Sequence, residues 1–93
     1  MLSQLPINLG NLEGDALDNE ILRIGMIAEL DAVNLYEQMA AMAKNENIKK
    51  ILLDIAREEK THIGEFQTLL LARDAEQVTE LEKGKKEIEE LME

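Results

Sequence analysis

Apolar residues recur at helical spacing along most of this chain. From about residue 17 to 43, and again from about 48 to 73, they return every three to four positions with polar residues between them. Each stretch is typical of an amphipathic helix. The best break between them is KNEN, residues 44–47, because asparagine caps helices better than it occupies their interior. The pattern therefore predicts a two-helix hairpin.

The first 14 residues differ from the rest of the chain. They contain the only proline and two of the five glycines, so we predict an extended segment. Its apolar residues, Leu5, Ile7 and Leu9, are expected to pack onto a neighbouring subunit. Asp15 is then the predicted N-cap of the first helix.

A shorter third helix is predicted at the end of the chain. Asp74 and Gln77 have the spacing of a capping box, and Gly84 is expected to interrupt the helix that follows. The chain thus divides into an extended N-terminal segment (1–14), a helical hairpin (15–73) and a C-terminal helix (74–93). There is no strand pattern, so the predicted fold class is all-α.

Composition adds a reason to expect a partner subunit. Hydrophobic residues make up 45% of the chain but aromatic residues only 2%, so the interior must be built from leucine, isoleucine, alanine and methionine. A chain of 93 residues buries only a modest fraction of its surface when alone. We therefore expect the hairpin to dimerise into a four-helix bundle with a shared core.

Charge limits the class of ligand. A net charge of −10 disfavours nucleic acid and anionic membranes as partners and favours metal cations. The absence of cysteine excludes disulfides and thiolate metal sites and fits a reducing cytoplasm. No basic residue precedes Arg23, as a secretory signal would require, and no apolar run approaches the ~20 residues of a membrane span. We predict a soluble cytoplasmic protein.

Two polar residues interrupt the apolar stripe of the second helix. Glu59 and the only histidine, His62, lie in the stretch EEKTH, and Glu58 falls at the polar margin of the stripe. The neighbours of Glu59 and His62 at helical spacings are Leu52, Ile55, Ala56, Ile63 and Phe66, with Ile48 and Leu70 extending the stripe. Glu-x-x-His alone is weak evidence, because a satisfied histidine beside an ordinary glutamate explains it equally well.

The first helix contains a matching residue. Glu29 lies in an apolar stripe, and a turn near residues 44–46 brings it level with Glu59 and His62 to within about one helical turn. Two carboxylates in an apolar layer cost several kcal/mol per ion unless they are compensated, and no lysine or arginine lies on either stripe there. The combination favours a metal site. Tyr36 lies on the same face and is either core filling or a residue that orients a carboxylate.

One hairpin provides half of a known ligand set. Di-iron carboxylate bundles use one glutamate from each of two helices and Glu-x-x-His from each of two others, which two copies of this chain would supply. Four carboxylates then balance two divalent ions, shared between chains as two per dimer. Oxygen ligands with one imidazole per metal suit iron or manganese.

Two stretches, AELDAVNLYEQ (28–38) and REEKTHIGEF (57–66), resemble the motifs of the encapsulated ferritins, particularly archaeal versions fused ahead of a nanocompartment shell protein. The resemblance implies a ferroxidase that uses Fe(II) with oxygen or peroxide, with Glu29, Glu59 and His62 as ligands at a subunit interface. It also implies a ring-shaped decamer inside an encapsulin nanocompartment, where the shell provides iron storage.

The resemblance extends to a second metal site that is less complete. Asp31 matches one acidic group of the entry site that members of the family have, and Glu58 is a further secondary candidate. Ala28 and Leu35 replace an acid and a tryptophan of that site. Two rival functions stay open: a rubrerythrin-like peroxidase or manganese catalase, and a non-catalytic helical adaptor.

Overall fold

Three helices follow one another in the computed structural model, which describes residues 13–93. They are α1 (Gly14–Met42), α2 (Glu46–Leu71) and α3 (Ala75–Leu91). The described residues form no strand. The predicted all-α fold, with a hairpin of two long helices and a short third helix, is confirmed.

The start of α1 differs from the prediction. Glu13 is the N-cap, with extended backbone and no side-chain capping bond, and Gly14 follows with a φ of 59°. Asp15 lies in the first turn instead of at the cap, where a carboxylate still interacts favourably with the helix N-terminus. The predicted contacts of Leu5, Ile7 and Leu9 lie outside the described residues.

The connection between α1 and α2 is capped by Asn45. Its side-chain oxygen accepts hydrogen bonds from the backbone N–H groups of Asn47 at 2.9 Å and Ile48 at 3.0 Å. These two bonds satisfy donors that have no partner inside the helix. The cap places the start of α2 at Glu46, two residues before the predicted start at residue 48.

The helix α3 is continuous through Gly84, so the predicted interruption was wrong. Asp74 is the N-cap as predicted, and its carboxylate accepts a bond from the Gln77 N–H at 3.0 Å. A glycine inside a helix costs only about 1 kcal/mol relative to alanine. The surrounding glutamate and lysine residues favour the helix, and Lys83 pairs with Glu80 one turn earlier at 3.2 Å.

The two long helices pack as an antiparallel pair with a thin core. The buried apolar side chains of the described residues are Val33, Ala40, Ala56 and Leu70. At the open end of the hairpin, Arg73 pairs with Asp15 at 2.9 Å and with Asp18 at 3.2 Å.

The helix α3 projects away from the hairpin. Every residue from 78 to 93 is exposed. The radius of gyration is 16.6 Å, against about 12 Å for a compact domain of this length. No helix of the described residues has the length and apolar content needed to cross a membrane.

Candidate metal centre

Three side chains meet near the middle of the hairpin. Glu29 comes from α1, and Glu59 and His62 come from α2, one turn apart. The Nδ1 atom of His62 lies 3.4 Å from Oε2 of Glu29 and 3.5 Å from Oε2 of Glu59. One ligand atom from each of the three residues lies within 4.8 Å of the other two. The antiparallel pairing thus brings together the three residues singled out from the sequence.

The two carboxylates are more buried than the imidazole. The side chains of Glu29 and Glu59 are 21% and 18% exposed, whereas that of His62 is 46% exposed. Oε2 of Glu29 is buried and has no hydrogen-bond partner, since its contact with the imidazole lacks the geometry of a bond. An unsatisfied buried acceptor costs about 1–3 kcal/mol, more when charged. A cation bound at this point would remove that cost.

The basic side chains near the site do not neutralise its two carboxylates. Within residues 13–93, no lysine or arginine forms an ion pair with Glu29 or Glu59. The nearby Lys60 pairs with Glu37 at 3.5 Å instead. Two carboxylates and one imidazole are the donor types that iron and manganese accept. The residues present therefore fit such a metal.

The apolar surface of α2 extends beyond the predicted stripe. Ile48 of that stripe is 55% exposed, and Ile51 and Leu69, which lie outside it, are 60% and 57% exposed. They lie 14 and 11 residues before His62 and 7 after it, which places all four on one side of the helix. The apolar surface of α2 is therefore wider than the surface that a single neighbouring helix covers. His62 thus lies within an open apolar surface, and the ligand set is open on that side.

The remaining predicted site residues lie outside this group. Asp31 is buried but is not one of the three clustered ligands. Glu58 is exposed, in agreement with its predicted position at the margin of the stripe. Tyr36, Ala28 and Leu35 are half-buried.

Gly25 was not among the residues predicted to belong to the site. A Cβ atom at this position would lie 3.0 Å from two carbons of the Phe66 ring. The available signal was a glycine inside a helix four residues before Glu29, with the only phenylalanine four residues after His62. Both residues therefore lie one turn from the ligand cluster.

The sequence of this chain matches one family model and is similar to two known proteins. The family model described as Rubrerythrin matches residues 20–93. A ferritin-like–encapsulin shell fusion protein of Pyrococcus furiosus is 65% identical over 72 residues, covering 77% of this chain and 21% of that protein. The encapsulin nanocompartment cargo protein EncC of Myxococcus xanthus is 39% identical over 56 residues, covering 60% of this chain and 43% of that protein. The chain thus spans less than half of either relative.

A solved structure covers nearly the whole chain. The crystal structure of the encapsulated ferritin domain from Pyrococcus furiosus superposes with a TM-score of 0.84 at 56% identity. The match covers 98% of this chain and 95% of that domain. The three helices of this chain are therefore arranged as they are in that crystal structure.

Proposed function

Because the chain belongs to the encapsulated ferritins, within the rubrerythrin-like ferritin fold, we propose that it is a ferroxidase acting at a di-iron site shared by two subunits. The observation that carries this proposal is the convergence of Glu29, Glu59 and His62 around a buried carboxylate oxygen without a hydrogen-bond partner. Three ligands are half of the six that the di-iron bundle pattern requires. A second copy would supply the other three.

The surface around His62 supports this dimer. Its imidazole is half exposed and lies along α2 with Ile48, Ile51 and Leu69. Burying this surface against the same surface of a second copy removes apolar area from water, at about 25 cal/mol per Å². A twofold axis through the site would bring the two half-sites together and complete a four-helix bundle.

Each ligand has a defined task in the reaction. The substrate is Fe(II), and each ion gives one electron to oxygen or peroxide as it becomes Fe(III). Glu29 and Glu59 of two chains supply four negative charges, which balance two divalent ions before oxidation and favour the trivalent product. The neutral imidazole of His62 in each chain offers a nitrogen lone pair to one of the two ions. The apolar surroundings strengthen these electrostatic interactions.

The printed descriptions of the relatives support a cellular setting. One is a fusion to an encapsulin shell, and the other is a nanocompartment cargo protein. We infer that this chain works within a cytoplasmic encapsulin nanocompartment, whose shell stores the oxidised iron. Assembly of its dimers into a ring-shaped decamer belongs to the same proposal.

Aerobic oxidation of Fe(II), measured alongside elemental analysis of the purified protein, tests the function. We expect bound iron and rapid formation of Fe(III) in wild type, and loss of both in the His62→Ala variant. Glu65→Ala is the matched control, because Glu65 is an exposed carboxylate one turn further along α2 and lies outside the ligand group. Oxidation at the rate of free Fe(II) in solution would contradict the proposal.

The rival functions predict different results when turnover of hydrogen peroxide is measured as well. A manganese catalase would contain manganese and consume hydrogen peroxide without oxidising added Fe(II). A rubrerythrin-like peroxidase would reduce peroxide faster than it oxidises Fe(II) with oxygen. An adaptor would contain neither metal. Metal content identifies the adaptor, turnover with iron against manganese identifies the catalase, and turnover with peroxide against oxygen identifies the peroxidase.

A further inference from the structure

The closed end of the hairpin is positively charged, although the chain as a whole is acidic. Residues 38–53, which we call the tip, contain three lysines and a single glutamate in a chain of net charge −10. The lysines are Lys44, Lys49 and Lys50. None of them takes part in an ion pair among the described residues. The tip therefore presents positive charge that no described carboxylate neutralises.

The open end of the hairpin has the opposite charge. Glu13, Asp15 and Asp18 lie at the start of α1, and all three are exposed. We call these three residues the acidic end. Arg73 pairs with Asp15 and Asp18, but their side chains remain 95% and 59% exposed. One guanidinium balances only one of the three carboxylates, so the hairpin has a positive tip and a negative open end.

The candidate metal centre lies midway between these two ends. Lys50 precedes His62 by 12 residues and Arg73 follows it by 11, which corresponds to about 18 Å and about 17 Å along α2. Arg73 marks the level of the acidic end, to which its ion pairs connect it. A twofold axis near His62 and perpendicular to the helices therefore brings the tip of each copy level with the acidic end of the other. An axis parallel to the helices would instead pair tip with tip.

We propose that the tip of one copy binds the acidic end of a second copy, so that opposite charges make the site-forming dimer antiparallel. This contact rests on the proposed shared metal site, because the two half-sites bring the copies together. The ligands alone leave the orientation open, since Glu29, Glu59 and His62 could face their counterparts in either arrangement. Each copy has one tip and one acidic end, so the contact occurs twice, as a twofold axis requires.

Electrostatics separates the two orientations. In the parallel arrangement, lysines face lysines at one end and carboxylates face carboxylates at the other. Exposed charges interact over about 10 Å at 0.1 M salt, which is close to the distance between packed helices. A single exposed ion pair adds little to affinity. A pattern of several such charges, however, suppresses the wrong arrangement and speeds encounter in the right one.

The apolar surface between the two ends does not select an orientation. Ile51 and Leu69 are 60% and 57% exposed and lie on the same side of α2 as His62. An antiparallel pair packs Ile51 against Leu69 of the second copy, because residue 60 lies midway between them. A parallel pair packs each residue against its own counterpart. Both arrangements bury apolar side chains of the same kind, so the charges at the ends decide between them.

Cysteine cross-linking measures the orientation. The chain has no cysteine, so Ile51→Cys and Leu69→Cys each introduce one thiol. With glutathione disulfide as the oxidant, we expect an equimolar mixture to yield at least fivefold more disulfide-linked dimer than either variant alone. Parallel pairing would link each variant to itself and would overturn the proposal. Absence of linked dimer both in EDTA and with MnCl2 would overturn it as well.

Charge reversal tests the cause of the orientation. A tip variant carries Lys44→Glu and Lys50→Glu, and an end variant carries Glu13→Lys and Asp15→Lys, all at exposed positions. In the cysteine background at low salt, we expect each pair of changes to slow cross-linking about tenfold. The protein with all four changes should regain the original rate. The end variant is the sharper test, because it lowers the net negative charge, and general repulsion between copies would then predict faster cross-linking. Equal rates in all four proteins would overturn the proposal.

Three further measurements separate the charge contact from folding, packing and the proposed function. Circular dichroism should show the same helicity in all four proteins. In 1 M NaCl, where charges interact over only about 3 Å, the four rates should become equal, and differences that persist would contradict an electrostatic contact. Fe(II) oxidation by wild type tests the function separately. An inactive protein whose cross-linking is restored by the four changes would refute the function alone, whereas an active protein with equal rates would refute the charge contact alone.

Discussion

The backbone of Gly25 lies against the ring of Phe66, where an added Cβ atom would make a tight contact with the ring. An ideal Cβ on Gly25 would come within 3.0 Å of two ring carbons, a separation that real Cβ atoms essentially never go below. Glu29 follows Gly25 by one turn, and His62 precedes Phe66 by one turn. The contact therefore fixes the distance between α1 and α2 next to the candidate metal centre.

The first prediction is that Gly25→Ala destabilises the protein despite raising the intrinsic helix propensity of α1. The Phe66 ring must shift by a few tenths of an ångström to admit the methyl, and overpacking of this kind typically costs about 1–3 kcal/mol. Urea unfolding, followed by circular dichroism at fixed protein concentration, measures the change. Because this strain lies one turn from Glu29 and His62, metal affinity should fall as well.

Two further variants test whether contact with Phe66 causes the loss of stability in Gly25→Ala. Gly64→Ala adds the same methyl to α2 where, beyond the neighbouring backbone of its own helix, a Cβ atom meets nothing within 4 Å, so it should be neutral or slightly stabilising. Phe66→Leu in the Gly25→Ala background removes ring volume and should recover part of the lost stability. A Gly25→Ala protein as stable as wild type would show that the hairpin accommodates the methyl without strain.

Much of this architecture could be predicted because local patterns and packing agree. Apolar periodicity located both long helices, and the turn near residue 45 placed Glu29 level with Glu59 and His62. Neither Glu29 nor the Glu-x-x-His spacing was by itself specific for a metal site. Together they were informative, because folding the hairpin brings their ligand atoms within 4.8 Å of one another.

Other features depend on interactions that periodicity does not encode. Gly84 suggested an interruption, but the cost of one glycine is small beside a run of strong helix formers. The Asn45 cap determined where α2 begins, two residues earlier than the apolar pattern indicated. The exposure of Ile48 was also missed, because a stripe does not reveal how much of it a single neighbouring helix covers.

The second prediction distinguishes the roles of two adjacent glutamates in Fe(II) oxidation. Glu59 is half-buried and 3.5 Å from the imidazole, whereas Glu58 is exposed. We expect Glu59→Ala, like Glu29→Ala, to abolish rapid Fe(II) oxidation and Glu58→Ala to reduce it only modestly. Stopped-flow measurement of Fe(III) formation compares the three variants at equal protein concentration. Equal losses at 58 and 59 would mean that both carboxylates act on iron.

The third prediction concerns stoichiometry. Each chain offers three ligands, so a tightly bound metal should appear at one ion per chain and two per dimer. Anaerobic titration with Fe(II), followed by calorimetry, gives the ratio. His62→Ala supplies the control, because it removes one ligand from each half-site while leaving both carboxylates. Two high-affinity ions on an isolated monomer would contradict a shared site.

A fourth prediction concerns the ion pairs of Arg73 at the open end of the hairpin. Arg73 contacts Asp15 and Asp18, which are both exposed, so the pairs are screened by solvent and salt. Arg73→Gln should lower the free energy of unfolding by about 1 kcal/mol or less at low salt. In 1 M NaCl the difference from wild type should largely disappear. A loss that is equal at both salt concentrations would indicate a packing role for this side chain.

The metal should also control assembly. Without metal, the proposed twofold interface brings four carboxylates, Glu29 and Glu59 from each chain, into one apolar layer where they repel one another. A divalent ion bound by both chains has higher affinity for the dimer than for the monomer. It must therefore stabilise the dimer by mass action. Chelator should shift wild type toward smaller species, and Fe(II) should restore the larger form.

Glu29→Ala gives the fifth prediction, in which a variant that has lost its metal ligand assembles better than wild type. It removes two of the four carboxylates from each empty dimer interface, including the buried oxygen that has no hydrogen-bond partner. In EDTA this variant should form larger species than wild type, and its response to added Fe(II) should be weaker. Analytical ultracentrifugation of both proteins, with and without metal, measures the shift. A wild-type mass distribution that ignores chelator would show either that the site does not bridge chains or that apolar contacts elsewhere, such as those of the N-terminal segment and the third helix, already dominate assembly.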